Sequence, residues 1–175
     1  QQLYLVVDDG GSDQPSAGLP NPGDEVVIWN KSAQAALAAQ DDNADSPSIT
    51  KSGPAEIKDG KLVSGNGAAV FTVEKSGDYY RFHNKSYGYL CAGGTGNNAF
   101  YSATVSEDAD WLVRTCSGGV GGYEMESRTA KYKGHSQWLE YYSDSFKVYS
   151  MYNVSDYTIY SFNFYPVQGV TTVDG

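Results

Sequence analysis

Gly23-Asp24-Glu25-Val26-Val27-Ile28-Trp29-Asn30-Lys31-Ser32 is the stretch on which the fold turns, because its chemistry returns twice further along the chain. Gly77-Asp78 is followed, after the same interval of five residues, by Asn84-Lys85-Ser86. Gly122 leads into Ser127-Arg128-Thr129, again a small polar residue, a cation and a hydroxyl. Each copy is trailed by a closing run: Phe71-Thr72-Val73, Trp111-Leu112-Val113 and Phe162-Asn163-Phe164. Three kinds of element recurring in one order indicate a single domain built from a repeated supersecondary unit. The expected organisation is an N-terminal strand and loop over 1–22, a β-rich domain over 23–169 and a linker tail over 170–175. Within the domain the repeats run over 23–76, 77–121 and 122–169.

Side chains alternate along a strand, so laying the copies over one another assigns their faces. Val26, Tyr80 and Tyr123 fall in one column and Ile28, Phe82 and Met125 in another, all apolar and therefore inward. In the closing runs Phe71, Val73, Trp111, Val113, Phe162 and Phe164 point in, and Leu37, Leu90 and Leu139 do so after the Asn-Lys-Ser turn. The intervening positions are Arg81, His83, Glu124 and Glu126 in copies two and three, as suits a wetted outer face. Copy one has Val27 and Trp29 there, which this register leaves outside.

Around the repeats, Leu3 to Val7 reads as a strand and Asp8 to Asn21 as a Gly-, Ser- and Pro-rich loop. Ala33 to Gln40 has helical propensity but stands where the other copies have Tyr89-Leu90-Cys91 and Trp138-Leu139-Glu140, so a strand is expected. Asp41 to Gly60 reads as a long polar loop and Lys61-Leu62-Val63 as a short strand. From Val70 onward short strands are broken by turns at 75–78, 93–98, 117–122 and 142–144. Many short strands at regular spacing make an all-β barrel or sandwich.

The 175 residues suit one domain with a proper core. A net charge of −9 repels nucleic acid and anionic membranes. No run approaches the roughly 20 apolar residues of a membrane helix. The opening at Gln1 reads as that of a mature or excised fragment of a larger protein. Cys91 and Cys116 leave two alternatives open: one disulfide, or two separate buried thiols.

No nucleophile elbow, zinc-helix motif or phosphate-binding Gly-rich loop is present, so no catalytic residue is assigned. Asp8 to Asp13 and Asp41 to Asp45 carry the hard oxygen ligands that calcium requires. The second loop lacks the turn Gly (Ser46) and the bidentate Glu (Ser52), and solvated charge accounts for both loops more simply. No cofactor is otherwise expected, and no metal ligands are assigned.

The aromatics point elsewhere. A sugar ring has an apolar C–H face rimmed by hydroxyls, which an exposed indole or phenol covers while nearby polar groups take the hydroxyls. The chain has 15 Tyr. The candidate sugar-binding residues are Trp138, Trp29, Tyr141, Tyr142, Tyr149, Tyr152, Gln137 and Glu140, with Trp111 assigned to the core. Asn30, Asn84 and Asn153 open glycosylation sequons for a eukaryotic source and plain turns for a bacterial one.

The runs Gly23 to Asn30, Tyr79 to Leu90, Trp111-Leu112-Val113, Trp138 to Tyr142 and Phe162 to Pro166 resemble the β-rich accessory modules of large secreted bacterial enzymes. The resemblance implies a non-catalytic, extracellular, carbohydrate-binding module, monomeric within a longer chain and without membrane insertion. The threefold pattern also resembles β-trefoil lectins. Ricin-type repeats carry Gln-x-Trp where this chain has Ala69-Val70-Phe71, Ala109-Asp110-Trp111 and Tyr160-Ser161-Phe162, so no sugar-binding residue is carried over from them. The expected fold is all-β and β-trefoil-like with three approximate repeats, with another closed barrel or a sandwich as the alternative. The expected partner is a glycan or polysaccharide, and the alternative role is a structural spacer or protein-docking and adhesion domain.

Overall fold

The computed structural model describes residues 2–8, 18–42, 46–54, 56–58, 61–63 and 66–173. β1 (Gln2–Asp8) precedes a first group of strands: β2 (Glu25–Asn30), β3 (Ala35–Asp41) and β4 (Ser48–Lys51). A short hairpin of β5 (Glu56–Lys58) and β6 (Lys61–Val63) then leads to β7 (Phe71–Ser76). The second group is β8 (Tyr79–Asn84), β9 (Gly88–Ala92), β10 (Ala99–Ser102) and β11 (Trp111–Thr115). The third is β12 (Tyr123–Tyr132), β13 (His135–Tyr142), β14 (Ser145–Tyr149) and β15 (Phe162–Val173).

Six of these strands close on themselves. β2 pairs with β7, β7 with β8, β8 with β11, β11 with β12, β12 with β15, and β15 returns to β2, all antiparallel. Each group adds a hairpin outside this ring, β3–β4, β9–β10 and β13–β14, while β1 pairs with β15 and β6, and β6 with β5. This is a β-trefoil, and its threefold register is explicit. Val26 lies opposite Phe71, Tyr80 opposite Trp111, and Tyr123 opposite Phe162. The inward columns and the closing runs therefore meet as cross-strand partners.

The core follows from those columns. Val26, Ile28, Phe71, Phe82, Trp111, Met125, Phe162, Leu37, Leu90 and Leu139 are fully buried in one cluster, and Tyr123 packs against it half-buried. Phe82 and Phe164 stack in parallel at 5.4 Å across the barrel. Trp111 satisfies its indole by donating to the Leu90 carbonyl (3.0 Å).

The recurring Asn-Lys-Ser turn is what ties each group shut. Asn30 accepts from the Ala33 amide (2.9 Å) and donates to the carbonyls of Ile159 and Ser161. Asn84 accepts from Ser86 and Tyr87 and donates to Val70. Ser127 accepts from Ala130, and the neighbouring Arg128 amide donates to Asp110. Val70, Asp110 and Ser161 each immediately precede a closing strand; in two groups the Asn side chain both caps the turn and fastens that strand's start, and in the third the Ser127 hydroxyl caps while the Arg128 amide fastens. Asn30 and Asn84 are buried, which removes them as glycosylation acceptors, whereas Asn153 is exposed.

Several expectations are corrected. Val27 is fully buried and Trp29 is half-buried, because the outer side of β2 is covered. They join Ala36, Tyr165, Ala68, Val70 and Val167 in a second small core, where Trp29 meets Tyr165 edge-on at 6.0 Å. Outward from the barrel is thus not outward to water. Glu124 also faces out yet is buried, its carboxylate accepting from the Ser117 amide (2.9 Å) and hydroxyl (2.6 Å). The segment from Asp41 to Gly60, expected as loop, contains β4 and β5. The tail expected as a linker begins inside a strand, since 170–173 continue β15 alongside β1. Residues 174–175 lie outside the described residues, as do most of the two loops weighed for calcium. Cys91 and Cys116 are separate buried thiols rather than a disulfide.

Candidate functional site

The three hairpins converge where the β13–β14 hairpin meets its neighbours. Ser145 and Phe146 of β14 pair with Thr50 and Ile49 of β4, and the Ala99 amide donates to the Pro47 carbonyl (3.1 Å). Ser46 and the bend at Gly96-Asn97-Asn98 are thereby carried to the outer face of β13–β14. After β14 the chain passes through Tyr152-Asn153-Val154-Ser155 into a single 3₁₀ turn, Tyr157–Tyr160, which walls the other side. Asp156 caps that turn, accepting from the Thr158 amide (3.0 Å) and hydroxyl (2.6 Å), and these bonds hold its carboxylate below the usual range.

The result is a cleft of about 700 Å³ lined by both apolar and polar groups, the size and character of a small-ligand site. Tyr142, Tyr149 and Tyr152 are its exposed rings, at 62%, 43% and 54% of full exposure. Tyr152 shares a hydrogen bond with the His135 ring (2.6 Å to Nδ1) and meets it edge-on. Glu140 lies at the floor, buried, opposite Lys147 across the hairpin. Burial pushes its carboxyl up to about 7, against the opposing pull of a hydrogen bond with Tyr160 and the charge of Lys147. Tyr160 is itself buried, and its phenol is pushed up by burial and by Glu140.

Four of the residues expected from sequence therefore come together here: Glu140, Tyr142, Tyr149 and Tyr152. Trp138 is not stranded in water. It stands beside the cleft, opposite Tyr149 in the hairpin, half-buried, with an indole nitrogen that is shielded and has no hydrogen-bond partner. Gln137 faces inward, fully buried, and its amide donates to the Gly96 carbonyl (3.1 Å). That bond anchors the bend that forms the cleft wall, so Gln137 supports the site without lining it. Tyr141 also turns inward, packing on Phe146 at 5.4 Å and donating to Asp144 (2.9 Å). Trp29 belongs to another group of strands and does not approach the cleft.

Sequence reasoning missed Lys147, Asp156, Asn97 and Asn98. Asp156-x-Thr158 is a capping signal for a short turn, and Asn97-Asn98 sits in a run that read only as a turn. The Oδ1 atoms of Asn97 and Asn98 are buried without a hydrogen-bond partner. Among the described residues no group of acidic, His or Cys side chains could hold a metal ion, and no helix is long and apolar enough to cross a membrane.

No family model matches the chain, and no curated protein matches it. Solved structures do. The BEL β-trefoil shares 10% identity at a TM-score of 0.59, covering 88% of this chain and 100% of that one. An endo-β-galactosidase from Clostridium perfringens that releases GlcNAcα1-4Gal shares 17% identity at a TM-score of 0.58, covering 83% of this chain and 33% of the enzyme. The Polyporus squamosus lectin, solved with Neu5Acα2-6Galβ1-4GlcNAc, shares 16% identity at a TM-score of 0.53, covering 83% of this chain and 50% of the lectin. At these identities the likeness is one of fold. The chain spans a third of the galactosidase and half of the lectin.

Proposed function

We propose that this chain is a non-catalytic, extracellular glycan-binding module of a larger secreted or cell-surface protein. The observation that carries the reading is the cleft itself: three exposed tyrosine rings, two on the β13–β14 hairpin and one just after it, around convergent polar groups. Phenol rings offer apolar area for sugar C–H faces, and Glu140, Asp156, Lys147 and the two Asn amides offer partners for hydroxyls. The lectin and galactosidase among the structural neighbours, and the resemblance to accessory modules, support the same class. Affinity at such a site is modest, because each sugar hydroxyl exchanges water hydrogen bonds for protein ones at small net gain.

Calorimetric titration against a panel of plant, host and bacterial glycans tests the reading. At least one glycan should give saturable heat, and Tyr149→Ala and Tyr152→Ala should each weaken it about tenfold or more, at roughly 1–3 kcal/mol per buried aromatic contact. Chromogenic glycosides should not turn over. Silence across the panel would end the proposal and leave the spacer or protein-docking role, with the tyrosines as its contact patch.

A further inference from the structure

The pseudo-threefold register allows the cleft to be compared with the same places in the other two groups of strands. Pairing to the first strand of each group equates Ala36, Tyr89 and Trp138, since these lie opposite Trp29, His83 and Glu126. Counting onward equates Leu37, Leu90 and Leu139, and then Ala38, Cys91 and Glu140. The carboxyl on the cleft floor is thus replaced by a buried methyl and by a buried thiol.

The rings are lost in the same way. Tyr142 corresponds to Gly93 and Gln40. A Cβ at Gly93 would lie 2.8 Å from the Asp108 carboxylate, so no side chain can occupy that place without displacing Asp108. Tyr149 pairs with Trp138, and the residue that pairs with Tyr89 is Ser102. Lys147, opposite Glu140, corresponds to Phe100, opposite Cys91. The rings of the second group, Tyr87 and Tyr101, pack against each other at a tilt, 5.1 Å apart, and the Tyr101 hydroxyl already donates to Ala38. At the compared positions neither of the other two groups offers both the carboxyl and the open rings of the cleft.

The lining also has a chemical bias. Glu140 and Asp156 are carboxylic, and the amide residues Asn97 and Asn98 stand in the wall beside them. The one cation of the cleft, Lys147, sits across from Glu140. Above about pH 7, where Glu140 has released its proton, an entering carboxylate would meet two carboxylates, with Lys147 facing one of them, on a chain of net charge −9. Like-charge juxtaposition at a desolvated contact costs several kcal/mol. A hydroxyl-bearing ring instead supplies donors to the two carboxylates.

Building on the glycan-binding reading, we propose that the chain carries one sugar site, on the third group of strands, and that this site admits uncharged sugars and rejects acidic ones. Glu140 is the specificity-determining residue: it accepts from sugar hydroxyls and repels sugar carboxylates.

The test is calorimetry at about pH 8.5, where Glu140 is ionised, with matched pairs: lactose against sialyllactose, and tetragalactan against tetragalacturonic acid. The neutral member of a binding pair should saturate at one equivalent per chain, and its acidic counterpart should bind about tenfold more weakly or worse. Glu140→Gln, which keeps shape and removes charge, should narrow that gap while weakening the neutral sugar. Ser102→Ala should leave both unchanged. Two or three equivalents per chain, or acidic members binding as tightly as neutral ones, would overturn this inference while sparing the glycan-binding reading. Equal discrimination in Glu140→Gln would overturn the role given to Glu140. Silence from every glycan, including the wider panel, would remove both.

Discussion

Asp110 is a buried acid held between two cations. Its side chain is fully buried, one oxygen accepting from Arg81 Nε (2.6 Å) and the other from Arg128 Nη1 (2.8 Å). The two cations are half-exposed, so they keep part of their hydration while the carboxylate keeps none. Removing the acid leaves two guanidiniums facing one another across an empty site. Asp110→Ala should therefore destabilise by about 3 kcal/mol or more, read as a lowered denaturant midpoint. Glu140 behaves in the opposite sense. In the folded chain it keeps its proton up to about pH 7, whereas in the unfolded chain it releases it at about 4.3. Between those values the folded state binds more protons, so its contribution to stability falls as pH rises through that window. Glu140→Gln should flatten the dependence and be more stable than the parent at about pH 8, measured by urea unfolding across the window. An unaltered slope would mean that the carboxyl is solvated. The thiols give a third residue-level expectation. Burial pushes Cys91 up to about 12 and Cys116 up to about 11, leaving almost no thiolate at neutral pH. Both should resist a thiol-specific reagent in the native protein and react at once on denaturation.

At the scale of the element, the Asn-Lys-Ser turn separates structure from function. Its Asn side chain is a fastener and its Lys is exposed. Asn30→Ala and Asn84→Ala should each cost about 1–3 kcal/mol by leaving buried carbonyls and amides unsatisfied. Lys85→Ala should stay within about 0.5 kcal/mol. A reversed order would make the cation the working residue of the motif. The same elements show why the barrel was readable and the cleft only partly so. Val26, Tyr80 and Tyr123 occupy matched places before a shared turn, and strand alternation alone turned them toward Phe71, Trp111 and Phe162. Glu140, Tyr142 and Tyr149 share one hairpin, so proximity in sequence brought them into consideration together. Asn97, Asn98 and Ser46 come from other hairpins and reach the cleft only through the packing of the three hairpins. Trp29 misled because alternation tells inside from outside of one layer and is silent about a second layer laid over it. Trp138 was placed on the correct face, but its neighbours cover it.

At the scale of the molecule, the three central leucines test whether the groups fold as one. Leu37, Leu90 and Leu139 are all fully buried in the same cluster. Each Leu→Ala change should cost about 2–5 kcal/mol and shift a single cooperative transition. A group that melted separately would show that the shared core does not couple them. Closure of the barrel has a further consequence for how the chain is made. β15 supplies the last pairing to both β2 and β12. A nascent chain halted before Phe162 therefore has two raw sheet margins, each open to another chain. Emergence of β15 is the step that covers both margins at once.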